Sequence, residues 1–269
     1  MIHGLDTWSA YTVDWKRIAA DPDEPRRFVY AKCTEGGAGY DSKFSESVAG
    51  AKDAGIYVGG YAFLRLHQPI QPQIENFIRR LGGIGGSAGE LPPALDCESP
   101  WPGDWAGMGL RADVVLDRIA KAVQAIRAEF GRPPMIYAGS GWWAGLAHLD
   151  ASALKDCPLW AAAYWRSEPW MPAPTDRPKP FGPWDRVLMW QYSGDHSRPV
   201  PGVVSGMCPA HPQCQRVDRD VWLGTPEELD RLALVRVDRE APTQPVLPVD
   251  PGEGIADWAV SEYQKPDRT

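Results

Sequence analysis

Short runs of β-branched, aromatic and other apolar residues recur along the chain and alternate with stretches that have helical spacing. Eight such runs predict strands, at residues 2–8, 27–33, 56–63, 92–98, 134–139, 158–164, 187–193 and 216–222. The clearest helix is predicted at 110–130, where apolar residues recur every three or four positions and Gly131 follows. A second helix is predicted from Lys43 to Ala54. This alternation predicts an α/β protein with βαβ units and parallel strands.

The number of strands, and the thinning of helices after Tyr164, favour a closed sheet. We expect a TIM-like (β/α) barrel with eight strands and fewer than eight helices, and an open doubly wound sheet is the alternative. The glycine-rich run 82–89 resembles a dinucleotide-binding loop, but it follows a helical pattern and precedes a strand. That order is wrong for such a loop, so we interpret the run as a connection and expect no cofactor.

The composition changes at about Ala233, beyond which prolines stand at 242, 245, 248 and 251. Such spacing is typical of a stiff extended linker or a surface arm. Residues 255–265 could form one short helix, which is too small for a second domain. The sequence therefore predicts one barrel domain at 1–232 and a Pro-rich tail or linker at 233–269.

Charge and hydrophobicity limit the range of partners. The chain has 28 Lys and Arg against 35 Asp and Glu, a net charge of −7, and 43% of its residues are hydrophobic. These values predict a folded domain that does not bind nucleic acid. No stretch approaches the ~18 apolar residues of a membrane span. The first residues lack the features of a secretory signal, so we expect synthesis in the cytoplasm.

Five cysteines are too few for a disulfide scaffold. Cys208 and Cys214 bracket the loop CPAHPQC, which allows a local disulfide, two free thiols, or a zinc site that uses His211. Three ligands fall short of the usual four, so no metal is assigned.

The run PPALDCE carries the most informative chemistry, because Asp96 and Glu98 stand two residues apart on a predicted strand. Their side chains should project from one face, and Cys97 from the other. Active sites of such barrels lie at the carboxyl ends of the strands. Two neighbouring carboxylates repel each other, so one tends to retain a proton, as a general acid for glycosidic bonds must. The alternative is a pair of solvated acids in a Pro-rich turn.

Further acids could join this pair. Asp6 ends the first predicted strand, and Asp218 and Asp220 share one face of the last strand. The first and last strands of a closed barrel are neighbours, so Asp6 and Asp218 should converge. With several of the 13 tryptophans nearby in sequence, the acids indicate a carbohydrate cleft. These tryptophans are Trp8, Trp101, Trp160 and Trp190.

Residues 2–224 resemble the glycoside hydrolase family 25 lysozymes, the N-acetylmuramidases of phage, bacteria and fungi. The motifs that carry the resemblance, in order, are GLDTW, FVYAKCTEG, YDSKF, AGIYVGGYAF, PPALDCE, MIYAGSGWW, LWAAAYW, MWQYSG and VDRDVW. The resemblance implies that Glu98 is the proton donor, Asp96 the second catalytic carboxylate, and Asp6 and Asp218 two supporting acids. It also implies a sugar site built from Tyr61, Tyr137, Tyr164 and Gln191. We predict that Trp8 and Glu35 also bind the sugar.

The activity that the resemblance implies is cleavage of peptidoglycan between N-acetylmuramic acid and N-acetylglucosamine. The tight spacing of Asp96 and Glu98 favours retention of configuration. The nucleophile is then either Asp96 or the substrate acetamido group, and we favour the acetamido group. The alternatives are another N-acetylhexosaminide hydrolase and a non-catalytic glycan-binding or virion barrel. A chitinase-like enzyme is disfavoured because its D-x-D-x-E run would need an aspartate where Ala94 stands. The expected partner is bacterial peptidoglycan, reached through a holin pore or in a virion.

Overall fold

The computed structural model describes residues 1–82, 90–164, 175–194 and 217–234. The strands of this part are β1 (Ile2–Thr7), β2 (Arg26–Glu35), β3 (Gly39–Tyr40), β4 (Tyr57–Arg65), β5 (Ala94–Ser99), β6 (Met135–Gly139), β7 (Leu159–Ala162), β8 (Met189–Ser193) and β9 (Arg219–Trp222). Its α-helices are α1 (Trp15–Ala19), α2 (Phe44–Asp53), α3 (Ile70–Gly82), α4 (Ala112–Phe130), α5 (Ser140–Trp143) and α6 (Pro226–Leu234).

Eight of these strands close into a barrel. The order is β1-β9-β8-β7-β6-β5-β4-β2, and a parallel pairing of β1 with β2 completes the ring. The two-residue β3 only extends the edge of β2. The prediction of a TIM-like barrel with eight strands and fewer than eight helices is confirmed, and the open-sheet alternative is wrong.

One strand departs from the predicted parallel arrangement. β9 runs antiparallel to both of its neighbours, pairing Leu5 of β1 with Arg219 and Gln191 of β8 with Asp220. Its first residues therefore lie at the rim where the other strands end. This reversal decides which acid of the VDRDVW motif reaches that rim.

Alternation along the strands divides the core into two layers. On β2, Phe28 and Tyr30 belong to the cluster inside the barrel, whereas Val29 and Ala31 pack in the layer beneath the helices. Cys97 is fully buried in that outer layer, as predicted from its place between Asp96 and Glu98. The outer layer is formed partly by the apolar faces of the helices. α4 provides one such face, because its buried residues lie along a single side.

Both predicted helices form close to their expected bounds. α4 ends at Gly131, whose φ of 66° is the left-handed conformation that glycine adopts without strain. α2 is followed by Gly55 with a φ of 72°. No helix of the described ranges is both long and apolar enough to cross a membrane. The predicted loop at 82–89 begins at the last residue of α3, Gly82. Its other residues, the Cys208, His211 and Cys214 cluster, and the tail beyond 234 lie outside the described residues.

Candidate active site

A cavity of about 230 Å³ opens at the rim formed by the carboxyl ends of the parallel strands. Nine of the ten site residues predicted from the sequence line it. The lining consists of Asp6, Trp8, Lys32, Tyr61, Phe63, Asp96, Glu98, Tyr137, Trp160, Tyr164, Gln191, Gly194 and Asp218. Residues more than 200 positions apart meet here because barrel closure places β1 beside β9.

Asp96 and Glu98 project from the same face of β5 into this cavity, with Asp96 the more deeply buried. Burial raises the pKa of Asp96 well above its ordinary value, and the charge of Glu98 raises it further. Lys32 opposes this shift. No hydrogen-bond donor of the described residues reaches Asp96 Oδ1. Burial and the neighbouring carboxyl group thus favour retention of a proton by the pair, as the sequence predicts.

The chain beyond Glu98 is held by two tryptophans. The indole Nε1 groups of Trp105 and Trp142 each donate a hydrogen bond of 2.9 Å to the Pro100 carbonyl oxygen. Both indoles are buried, and their rings meet edge to face with centroids 6.0 Å apart. This packing restricts the backbone that carries Glu98, so the carboxyl group has a defined position in the cavity.

A hydrogen-bond network joins the supporting acid to two tyrosines. Gln191 Nε2 donates to Asp6 Oδ2 over 2.8 Å. Gln191 Oε1 accepts from the hydroxyl of Tyr137 at 2.8 Å and from that of Tyr164 at 2.5 Å. Burial, followed by the charge of Asp220, raises the pKa of Asp6 well above its usual value. The network holds both hydroxyls against Gln191, which also contacts Asp6.

Lys32 is a cavity residue that was not predicted from the sequence. Its Nζ lies 2.5 Å from Glu35 Oε2 and 4.9 Å from the centre of the Phe63 ring. The available signal was a lysine inside an otherwise apolar strand, which must bury its charge or line a site. Lys32 is therefore a buried cation within the acidic cluster.

Glu35 takes a different place from the one expected. It is buried outside the cavity lining, where its carboxylate pairs with both Lys32 and Arg65. Glu35 thus supports Lys32, which lines the cavity, and its predicted contact with a sugar stays a prediction. Burial of a carboxylate at this point is tolerated because two cations neutralise it.

The two acids of β9 lie at different depths. Asp218 is half-buried and lines the cavity, and its carbonyl oxygen accepts a hydrogen bond of 3.4 Å from the Asp6 backbone. Asp220 lies two residues deeper and is fully buried, where it accepts a hydrogen bond of 2.8 Å from Trp160 Nε1. The convergence of Asp6 with Asp218 is therefore confirmed. The contact of Asp220 with Trp160, a cavity residue, was not predicted from the sequence.

The four tryptophans expected near the cleft divide into three groups. Trp8 and Trp160 line the cavity. Trp101 lies outside the lining and is 53% exposed. Trp190 is buried in the outer layer and donates to the Ala163 carbonyl oxygen. Its place in that layer follows from the alternation on β8, which points Gln191 inward and its neighbour outward.

An eight-stranded barrel that gathers paired carboxyl groups and aromatic rings at its carboxyl-end rim has the architecture of a glycoside-hydrolase barrel. The sequence profile of the glycosyl hydrolases family 25 matches residues 7–203. The chain belongs to this family.

Individual relatives agree with this assignment. The chain is 27% identical to lysozyme M1 of Streptomyces globisporus over 195 residues, 71% of this chain and 62% of that protein. It is 28% identical to the autolytic lysozyme of Clostridium acetobutylicum over 167 residues, 62% of this chain and 46% of that one. The chain therefore spans about half to three-fifths of these relatives. A family 25 lysozyme structure from Aspergillus fumigatus superposes with a TM-score of 0.65 at 26% identity, covering 86% of this chain and 98% of that one.

Proposed function

We propose that this chain is a peptidoglycan hydrolase, a 1,4-β-N-acetylmuramidase that cleaves the bond between N-acetylmuramic acid and N-acetylglucosamine. The observation that carries the proposal is the placement of Asp96 and Glu98 side by side on β5 within the cavity. The names of the relatives, a lysozyme in each case, support the same substrate class.

The positions of the two acids suggest their roles. Glu98 is the less buried of the two and lies nearer the strand end, where it can reach the leaving sugar oxygen and donate its proton. Asp96 lies deeper, beside Lys32, where a carboxylate can orient a substrate group and stabilise developing positive charge. Tyr61, Tyr137 and Tyr164 supply aromatic faces and hydroxyls for the sugar.

We expect the reaction to retain the anomeric configuration. Inverting enzymes hold their two carboxyl groups ~6.5–9.5 Å apart to admit a water molecule. Two neighbouring positions on one face of one strand favour the closer spacing of retaining enzymes. The acetamido group of the substrate is then the internal nucleophile, with Asp96 orienting its amide.

The cavity is suited to one unit of a polymer rather than to a whole oligosaccharide. Its volume of about 230 Å³ falls below that of ordinary enclosed ligand pockets, which hold ~300–1,000 Å³. A glycan strand would therefore insert one sugar among the acids and leave the flanking sugars along the rim. The exposed Trp101 lies three residues after Glu98 and offers a flat surface at that level.

Two further expectations from the sequence belong to this proposal. One is the division into a catalytic barrel at 1–232 and a Pro-rich tail at 233–269. The other is delivery to the cell wall from the cytoplasm, through a holin pore or within a virion. Both stay predictions, and neither is needed for the chemistry at the barrel rim.

Product analysis tests the proposed activity. Purified peptidoglycan is digested, the new reducing ends are reduced with borohydride, and the amino sugars are analysed after hydrolysis. Muramicitol is expected, whereas glucosaminitol would identify a glucosaminidase. Glu98→Gln, which preserves the shape of the side chain, is the control for a contaminating lytic enzyme. Absence of any reduced amino sugar with the folded wild-type protein would contradict hydrolase activity.

A further inference from the structure

Asp220 is a buried acid that the proposed chemistry does not use. It is 0% exposed and lies on β9 level with Gly4 of β1 and Gln191 of β8. One of its oxygens, Oδ1, accepts the 2.8 Å hydrogen bond from Trp160 Nε1. Among the described residues, no N–H or hydroxyl group reaches its other oxygen, Oδ2. Such an oxygen is costly to bury as an ionised group.

The side chain that Asp220 meets is another carboxyl group. Asp220 lies level with Gln191, whose amide nitrogen donates to Asp6, so the carboxyl groups of Asp6 and Asp220 lie close together, and each affects the pKa of the other. Ionised carboxylates have only acceptor oxygens, so a hydrogen bond between two of them needs one retained proton. Each member already accepts one bond from a neutral donor, Asp6 from Gln191 and Asp220 from Trp160. Neither of these donors serves the contact between the two carboxyl groups. That contact therefore needs a proton on one of them.

We propose that Asp6 and Asp220 share one proton, and that Asp220 is a positioning residue that holds Asp6, and through Gln191 the hydroxyls of Tyr137 and Tyr164, beneath the bound sugar. The proton sharing does not depend on the proposed function, whereas the positioning role rests on the proposed function. The pair then carries one negative charge rather than two at the floor of a site that already contains Asp96 and Glu98.

The surroundings of Asp220 favour the retained proton. Burial raises its pKa to about 8, and the charge of Asp218 on the same strand acts in the same direction. Arg26 of β2 opposes them, as do the hydrogen bonds from Trp160 of β7 and from Asp6 of β1. A further ionisable group nearby, among the described residues, is the Tyr30 hydroxyl, which donates to the Pro92 carbonyl oxygen and has a pKa raised by burial. Burial of the acid thus outweighs the cation and the two hydrogen bonds.

Trp160 gives this pair a second connection to the cavity. Its indole lies between the ring of Tyr30, at 5.1 Å, and that of Tyr137, at 4.8 Å, and its edge lines the cavity. Asp220 therefore holds the cavity wall through Trp160 and the cavity floor through Asp6. Loss of both polar contacts of Asp220 should disturb the wall and the floor, although Asp220 itself does not line the cavity.

The proton sharing predicts a specific dependence of stability on pH. A carboxyl group whose pKa is raised by folding stabilises the native state below its unfolded pKa of ~3.9, and this contribution is lost as pH rises through the folded pKa. Wild-type stability should therefore decline between about pH 4 and about pH 8. In Asp220→Asn the amide oxygen can accept from Trp160 while the amide nitrogen donates to an ionised Asp6. That variant should lack most of the decline.

The experiment compares wild type with Asp220→Asn, Asp220→Leu and the surface control Asp117→Asn, which replaces an exposed acid of α4. Free energies of unfolding are measured across this pH range. Carboxyl ¹³C shifts of protein labelled at aspartate follow the titration directly. We expect a carboxyl signal that titrates near pH 8 in wild type and Asp117→Asn and is absent from Asp220→Asn. Lytic kcat/KM should stay close to wild type in Asp220→Asn and fall by ~10²-fold in Asp220→Leu, as expected for misplaced groups.

Each outcome separates the two parts of the proposal. Parallel stability curves for wild type and Asp220→Asn, without an alkaline aspartate titration, would overturn the shared proton whatever the lytic rates. A confirmed titration with Asp220→Asn as inactive as Asp220→Leu would overturn the positioning role. If Asp220→Leu does not fold, Asp220→Asn still decides the shared proton, and Asp220→Ala takes the place of Asp220→Leu in the kinetic comparison. Wild-type kcat/KM in the folded apolar variant would overturn the positioning role. Wild-type protein without lytic activity would contradict the proposed function and the role that rests on it, while the titration would still test the proton.

Discussion

Gln191 Nε2 donates a 2.8 Å hydrogen bond to Asp6 Oδ2, joining two residues that are 185 positions apart in sequence. The same side chain accepts hydrogen bonds from the hydroxyls of Tyr137 and Tyr164, so the nitrogen and the oxygen of the amide are both hydrogen-bonded. These contacts set the orientation of the amide, because reversing it would place its acceptor oxygen Oε1 against the acceptor oxygen of Asp6. A single buried glutamine thereby connects β1, β6 and β8 at the cavity floor.

Replacement of this glutamine tests the network. Gln191→Leu leaves the Asp6 carboxyl group and two tyrosine hydroxyls without their partner. Each buried polar group left unsatisfied costs ~1–3 kcal/mol, so a marked loss of stability is expected together with a loss of lytic activity. Tyr164→Phe, which removes one of the three contacts, is the matched control and should cost less on both measures. Equal stability of Gln191→Leu and Tyr164→Phe in urea unfolding would contradict this view of the network.

The assignment of Glu98 as proton donor has a direct test. Glu98→Gln preserves side-chain shape but has no acidic proton, so lytic rate should fall by the ~10²–10⁴-fold typical of a lost general acid. Clearing of purified cell walls gives the rate, and circular dichroism shows whether the variant is folded. Near-normal clearing by a folded Glu98→Gln protein would remove Glu98 from this role.

Lys32 should set the acid side of the pH profile. Its charge lowers the pKa of Asp96 against the effects of burial and of Glu98. Lys32→Met should therefore raise the pKa of Asp96 further, and the acid limb of kcat/KM, which requires ionised Asp96, should move to higher pH. Lys121→Met, at an exposed lysine of α4, is the control and should leave the limb in place. An unmoved limb in folded Lys32→Met would mean that Asp96 ionisation does not limit the reaction.

The participation of the substrate acetamido group predicts a substrate requirement. Chemically de-N-acetylated peptidoglycan should resist cleavage because the internal nucleophile is gone, and re-acetylation should restore cleavage of the same preparation. Mass spectrometry of the enzyme during turnover provides the opposite test. A glycosyl ester trapped on Asp96 would show that the carboxylate, rather than the substrate, is the nucleophile.

Much of the barrel was predictable because its signals are local. The eight strand positions follow from apolar runs, and α4 and Gly131 follow from helical spacing and a glycine stop. The facing of Asp96 and Glu98 away from Cys97 follows from the period of two along a strand. Nine predicted residues line the cavity. The acids among them were recognised from their positions on predicted strands, and the tyrosines and Gln191 from motifs that match a family pattern. Lys32 was not predicted as a site residue, because a single lysine in a strand has no distinctive spacing.

The sequence by itself determined which residues form strands, which face each side chain takes, and that acids and aromatic residues accumulate at strand ends. Only the tertiary structure decided that β9 runs antiparallel, so that Asp218 reaches the rim while Asp220 lies buried against Trp160. It also decided that Glu35 pairs with Lys32 and Arg65 outside the cavity. The physical reason is that alternation is a property of one strand, whereas depth, strand direction and charge pairing depend on the neighbours that barrel closure brings from distant parts of the chain.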